Sequence, residues 1–255
     1  MKNSGSRIEI VEGLSIHDMS DREHLSVSVF FPAYNDAESL PDLLERTFQV
    51  VPRLTVEYEV LVVNDGSTDG TASVLENLAA RYAPHLKIIT HEMNRGYGAA
   101  LRSGFAACSK DLVFYTDGDG QYDVREIERL WTKMNPGVDL VNGYKLNRAD
   151  GKTRAWIGHA CNWIVRHLFR IRIRDVDCDF RLIRRSVLQG IQLYSNSGSI
   201  CVELIKKVQN VSGRFEEAGV HHYPRMHGRS HFFRLSSLLS TFWQLLLLYP
   251  VRQKD

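Results

Sequence analysis

Five short runs of apolar and β-branched residues recur before residue 144, each separated from the next by a stretch of helix length. This rhythm restricts the fold more than any other feature. The runs are SVSVFF (26–31), YEVLVV (58–63), LKIIT (86–90), DLVFYT (111–116) and VDLVNG (138–143). Runs apolar at successive positions suit strands buried on both faces, whereas a strand with one wet face alternates. Helical patterns near 38–50, 70–82, 97–108 and 123–134 lie between them. Strand–helix repeats of this kind close into a parallel sheet with right-handed crossovers. The expected fold class is therefore α/β, a mainly parallel sheet flanked by helices.

After residue 150 the rhythm changes. A basic, Trp-containing helix is expected over about 153–170, followed by DVDCDFRLIRR (175–185), a helix near 199–209, and an apolar-striped helix in LSSLLSTFWQLLLLY (235–249). Residues 1–24 read as a polar arm, 25–234 as one domain, and 235–255 as a C-terminal amphipathic helix and tail. No internal repeat or low-complexity linker divides the chain.

Composition narrows the class. With 255 residues, 44% hydrophobic and 24% charged, the chain suits one globular domain. A net charge of +2 gives no basis for nucleic-acid binding, and none is expected. Basic residues are instead concentrated within 145–185. The four cysteines, Cys108, Cys161, Cys178 and Cys201, form no CxxC pair, which argues against zinc and redox motifs. The opening MKNSGSRIEI lacks the apolar core of a signal peptide, so a cytosolic protein is expected. No run reaches the roughly 18 apolar residues of a spanning helix.

In an open α/β sheet, ligands bind beyond the carboxyl ends of the strands. Three acidic turns sit at such ends: PAYNDAES (32–39), NDGSTDGT (64–71) and DGDGQYD (117–123). One Asp-Gly pair is ordinarily just a turn. Three of them after core strands bring like charges into one crevice, which requires a cation or a donor-rich ligand. Asp69 and Asp123 suit helix starts. Asp117 and Asp119 alternate along an extended segment, with Gln121 two residues on. Such hard oxygen ligands suit Mg²⁺ or Mn²⁺. Magnesium commonly reaches only one or two carboxylates plus substrate phosphates, so the pattern predicts a nucleotide diphosphate as third party.

The order FPAYNDAESL, VVNDGSTDGT, YTDGDGQYD and DVDCDFRLIRR resembles the family-2 inverting glycosyltransferases with a GT-A, Rossmann-like fold. Among them it is most similar to polyprenyl-phosphate glycosyltransferases of the dolichol-phosphate mannosyltransferase type. The resemblance covers about residues 26–234. It implies that Pro32, Ala33, Tyr34 and Glu38 hold the nucleotide base and ribose, and that Asp65 contacts the base. It places Asp117, Asp119 and Gln121 at the metal and diphosphate site, with Gly118 where a small residue is usual, and Gly98 in the donor pocket. Asp175 and Arg181 match the D-x-x-x-G-F-R segment, with Asp179 in place of the glycine. Lys145 stands where an arginine would meet the acceptor phosphate, and Arg154 on a second such arginine. Gly158 stands where a serine is common. HHYPRMHGRS (221–230) matches a loop in which Arg225 neutralises the leaving nucleotide, Gly228 bends and Ser230 adds a hydrogen bond.

The implied reaction is transfer from a nucleotide diphosphate sugar to a polyprenyl phosphate at the cytosolic membrane face. A phosphate acceptor is already an anion and needs cations rather than a base. The rivals are a sugar-hydroxyl acceptor with Asp175, Asp177 or Asp179 as base, and a non-catalytic nucleotide-sugar-binding protein. Two other signals are rejected. RGYGAALRSG (95–104) imitates a dinucleotide fingerprint, but Leu101 stands where the third glycine belongs. Histidines 221, 222, 227 and 231 have no acidic or cysteine partner at zinc-ligand spacing. Finally, Trp156, Ala160, Trp163, Ile164 and Leu168 are expected to share a helix face flanked by arginines, as an interfacial membrane helix would. A stripe packed on the core, or on a second subunit of a homo-oligomer, has the same periodicity.

Overall fold

The computed structural model describes residues 25–146, 152–211 and 213–224; the side chains of 152–157, 159 and 161 are outside that description. The expected arm (1–24), the loop carrying Arg225 and Ser230, and the expected tail helix lie outside the described residues. Seven strands form one sheet: β1 (Val27–Ala33), β2 (Tyr58–Asn64), β3 (Leu86–Thr90), β4 (Leu112–Thr116), β5 (Leu140–Lys145), β6 (Phe180–Arg184) and β7 (Phe215–Val220), ordered β3-β2-β1-β4-β6-β5-β7. The helices are α1 (Leu40–Leu54), α2 (Thr71–Arg81), α3 (Tyr97–Ala107), α4 (Ile127–Trp131), α5 (Lys152–Phe169), α6 (Arg185–Gln189) and α7 (Ser199–Val211). A 3₁₀ turn, Val124–Glu126, leads into α4.

The central strands β1, β2 and β4 bury both faces, as their unbroken apolar runs require. From β1, Val27, Val29, Phe31 and Ala33 join one core with residues of α1, α2 and α4, while Phe30 joins the opposite core with residues of α3, α5 and α7. β2 divides likewise, with Val60 and Val62 on the first side and Leu61 and Val63 on the second.

The five expected strands are present, and all pairings among β1 to β4 are parallel. Two strands were not expected. β6 runs antiparallel between β4 and β5, and β7 pairs parallel with β5. FRLIR and FEEAGV carry charged residues inside the strand, which hides them from a search for apolar runs. Direction matters here. Because β6 is antiparallel, its start lies beside the end of β4, with Thr116 opposite Phe180. Residues 175–179 therefore arrive at the same end of the sheet as the three acidic turns, and so do the ends of β5 and β7.

At the opposite end of β2, Glu59 is buried and saturated. Its Oε1 accepts from Ser28 Oγ (2.7 Å) and from the backbone N–H and hydroxyl of Ser109 (2.7 and 2.8 Å), and Oε2 accepts from Lys87 Nζ (2.7 Å). Burial alone would raise its pKa, but these donors outweigh it and hold the carboxyl at about 2. A depressed carboxylate pKa stabilises the fold above the unfolded-state value, and that contribution disappears as pH falls through the folded value. Wild type should lose about 2 kcal/mol more stability than Glu59→Gln between about pH 7 and about pH 3, measured by urea unfolding. Equal losses in both proteins would refute the assignment.

Candidate active site

The site lies where the chain changes direction across the sheet. β1 continues to β2 and β3 on one side, whereas β4 lies on its other side, so a crevice opens beyond the ends of β1 and β4. The first two acidic turns are laced together across it. Asn35 N donates to Ser67 Oγ (3.0 Å), Thr68 N to Asn35 Oδ1 (2.8 Å), and Asp36 N to Thr71 Oγ1 (3.1 Å). Asn35 has φ 57°, a left-handed conformation that asparagine tolerates better than most residues. Pro32 and Ala33 end β1, the Ala33 carbonyl accepting from Asp65 N (2.9 Å). Tyr34 N donates to Asp36 Oδ2 (2.9 Å), and Glu38 is exposed at the far end of the turn. Asp69 accepts from Thr71 N (2.9 Å) at the start of α2.

The third turn is clamped to the first. Gly118 N donates to the Pro32 carbonyl (3.2 Å), and its own carbonyl accepts from Ser39 Oγ (2.7 Å). A Cβ at residue 118 would lie 2.8 Å from the Pro32 oxygen, so glycine permits this approach. Asp117 and Asp119 flank the clamp. Asp117 Oδ1 accepts from Tyr97 Oη (2.7 Å), and the buried Asp119 accepts from Gln121 N (3.0 Å). Burial and the neighbouring Asp117 carboxylate push the Tyr97 phenol well above its usual pKa, so it donates as a neutral hydroxyl. Tyr97 was not singled out in the sequence, although it lies in the segment read as lining the donor pocket.

Gln121, expected at the metal and diphosphate site, is bonded to the chain at Tyr223. Its Nε2 donates to the Tyr223 carbonyl (3.2 Å), and Tyr223 N returns a bond to the Gln121 carbonyl (2.8 Å). It thus ties the acidic turn to the strand end that leads toward Arg225 and Ser230. Asp123 caps the 3₁₀ turn by accepting from Arg125 N (3.1 Å). His221 is bound to Glu126, with Nδ1 2.5 Å from Oε1. Gly98 packs α3 against the 195–196 loop. Its N–H donates to the Asn196 carbonyl (2.9 Å), and a Cβ there would meet the Ser195 oxygen at 2.1 Å.

From the second half, Asp175 is buried and accepts from Asp177 N (3.2 Å). Lys145 Nζ donates to the Asp177 carbonyl (2.7 Å) and lies 4.0 Å from Asp175 Oδ2. Arg154 is on α5, with its side chain outside the description. Arg181 is a correction. Matched by the resemblance to the D-x-x-x-G-F-R segment and so expected with Asp119, Asp175 and Arg225 at the reacting centre, it is fully buried and presents no atom to the crevice. Its guanidinium donates to Asn142 Oδ1 (2.8 Å), the Tyr115 hydroxyl and the Val176 carbonyl, and pairs with Asp179 at 3.1 Å. Asp179 also accepts from the Cys201 thiol (3.0 Å), which burial and that carboxylate keep protonated. Arg181 thus joins the 175–179 segment to β4 and β5. The expected face of α5 also divides: Trp163 and Ile164 are exposed, whereas Leu168 packs against the core.

The residues present suit a divalent cation. Asp117 and Asp119 offer hard carboxylate oxygens on one clamped segment. Among the described residues no group of three or more His, Cys, Asp or Glu gathers to hold a metal.

The sheet, with an Asp-Gly-Asp turn at the end of the strand beside β1, has the GT-A form, and the chain belongs to glycosyl transferase family 2, whose model matches residues 28–191. It is a glycosyltransferase with an α/β GT-A fold. An undecaprenyl-phosphate 4-deoxy-4-formamido-L-arabinose transferase of Pseudomonas fluorescens is 32% identical over 228 residues, 89% of this chain, and the match spans 66% of that relative's length. Glucosyl-3-phosphoglycerate synthase of Mycobacterium tuberculosis, solved with Mn²⁺, uridine diphosphate and glucosyl-3-phosphoglycerate, superposes with a TM-score of 0.71 at 17% identity, covering 98% of this chain and 86% of that one. The same enzyme with Mg²⁺ and uridine diphosphate gives 0.67 at 19%, covering 94% and 84%. At those identities the likeness is one of fold.

Proposed function

We propose that this glycosyltransferase moves a sugar, with inversion, from a nucleotide diphosphate sugar to a polyprenyl phosphate at the cytosolic face of a membrane. The clamped Asp117–Gly118–Asp119 turn carries the donor half of this reading. Pro32, Ala33, Tyr34 and Glu38 would hold the base and ribose, with Asp65 reading the base and Gly98 closing the pocket. Asp117 and Asp119 would hold Mg²⁺ or Mn²⁺, which supplies charge neutralisation for the departing diphosphate. Gln121 would keep that turn joined to the chain entering the Arg225–Ser230 loop. There Arg225 would meet the leaving group and Ser230 would add a hydrogen bond.

The acceptor half is supported by the name of the Pseudomonas relative. A phosphate nucleophile is ionised, so the chain has only to orient it in line with the anomeric carbon. Lys145, braced by Asp175 and the Asp177 carbonyl, and Arg154 would supply the cations. Exposed Trp163 and Ile164 on α5, followed by exposed Arg170 and Arg172, suit a peripheral membrane contact. Among the described residues no helix is long and apolar enough to cross a membrane.

Incubation of labelled UDP-, GDP- and dTDP-sugars and Mn²⁺ with either undecaprenyl phosphate or soluble glycans tests the proposal. An acid-labile, lipid-linked sugar is the expected product. Label appearing only in soluble glycan would assign the acceptor to a sugar hydroxyl, with Asp175, Asp177 or Asp179 as base. Absence of turnover with every donor and acceptor would sink the reading.

A further inference from the structure

Asp65 does not act alone. Its Oδ1 accepts from His91 Nδ1 (2.6 Å) and from Arg95 N (3.0 Å), and Oδ2 accepts from Gly96 N (2.9 Å). His91 is held in turn, with Nε2 2.9 Å from Ser103 Oγ on α3 and its backbone N–H on the Asn64 carbonyl (2.9 Å). Both Asp65 and His91 are buried.

An ionised carboxylate only accepts, and each of its oxygens takes about two donors. Oδ1 is therefore filled by His91 and Arg95, and Oδ2 is half filled by Gly96. Among the described residues, one acceptor position remains on Asp65, at an orientation that the other three donors fix. Because the carboxylate cannot donate, His91 carries a proton on Nδ1, and Nε2 meets the Ser103 hydroxyl. Two of the donors on Asp65 are backbone groups at the start of α3, where a negative charge is favoured. They would remain whatever side chain stood at 91. Among the described residues the imidazole is the one side-chain donor on Asp65; it closes Oδ1 and prevents the carboxylate from turning.

We propose that His91, braced by Ser103, is a positioning residue for recognition of the nucleotide base, aiming the last acceptor position of Asp65 at a ring imino N–H. The inference rests on the donor reading above, in which Asp65 contacts the base. It predicts a base that carries such an N–H, as uracil, thymine and guanine do. A histidine that merely filled space would affect folding but not the choice between bases.

Calorimetric titration of the full chain, with Mn²⁺ present, against UDP, dTDP and GDP identifies the nucleotide bound most tightly. That nucleotide is then compared with its analogue methylated on the imino nitrogen. Wild type should bind the methylated analogue at least about tenfold more weakly, the loss expected for one hydrogen bond to a charged group. His91→Ala should weaken the parent nucleotide about tenfold and leave the analogue within about twofold, so that discrimination collapses. His91→Asn, whose amide N–H can stand where Nδ1 does, should restore discrimination. His91→Gln, whose amide reaches the Nε2 position, should not, and this pair decides the matter if His91→Ala fails to fold. Retained discrimination in His91→Ala or His91→Gln, together with its loss in Asp65→Ala, overturns the role of His91 alone. Retained discrimination in Asp65→Ala overturns base reading by Asp65 and the inference with it. No binding of any of the three nucleotides overturns the donor reading itself.

Discussion

Replacing Asp117 or Asp119 with alanine should reduce sugar transfer by about a thousandfold or more, the scale on which a site that stabilises developing charge fails when a central charged group is removed. The fold should survive. Asp117 gives up a hydrogen bond from Tyr97 and Asp119 one from Gln121 N, each worth about 1 kcal/mol. The clamp between them runs through Gly118 backbone groups to Pro32 and Ser39, which neither substitution touches. Turnover of labelled donor, read beside the thermal unfolding midpoint, checks both halves of the expectation. Full transfer by either variant, or undiminished transfer in the presence of a chelator, would remove the divalent cation from the mechanism.

The second large effect is on stability. Arg181→Ala should destabilise the protein by about 3–5 kcal/mol, as expected when one partner of a buried ion pair is removed. Arg181 is the only cation paired with Asp179 among the described residues, and its deletion also strands Asn142 Oδ1 and the Val176 carbonyl and leaves the Tyr115 hydroxyl only its bond to Asp179 (3.4 Å). Arg181→Lys should remain destabilised, because one ammonium cannot reproduce a planar fork with several fixed donors. Urea denaturation measures both variants. A loss below about 1 kcal/mol for the alanine variant would show that the network does not hold the 175–179 segment.

Much of the fold was legible because burial on both faces of a parallel strand leaves an unbroken apolar run. β1 to β5 and the helices between them follow from that pattern and from helical periodicity. β6 and β7 were not legible as strands, because Arg181 is an inward-facing charge and FEEAGV is half polar. The turns that hold the site were legible as clusters, since Asp, Asn and Gly at strand ends are local features. The division of labour inside each cluster was not. Asp123 and Asp69 could be recognised as caps from their spacing. Nothing local, however, indicated that Tyr97 would donate to Asp117 or that His91 would complete the shell of Asp65.

The sequence by itself determined the layered α/β architecture, the carboxylate pair and the family resemblance, because each depends on residue type and short-range spacing. The tertiary structure decided which polar groups stand ready for a ligand and which are consumed internally. Arg181 resembles a site residue in the sequence, and only the antiparallel insertion of β6 between β4 and β5 shows that its guanidinium is spent on Asn142, Tyr115, Val176 and Asp179. His91 has no motif to mark it, and only the register of β2 with β3, which sets Asn64 opposite Thr90, brings it to Asp65. Hydrogen-bond partners distant in the chain are chosen by strand order and direction, and these are properties of the whole sheet.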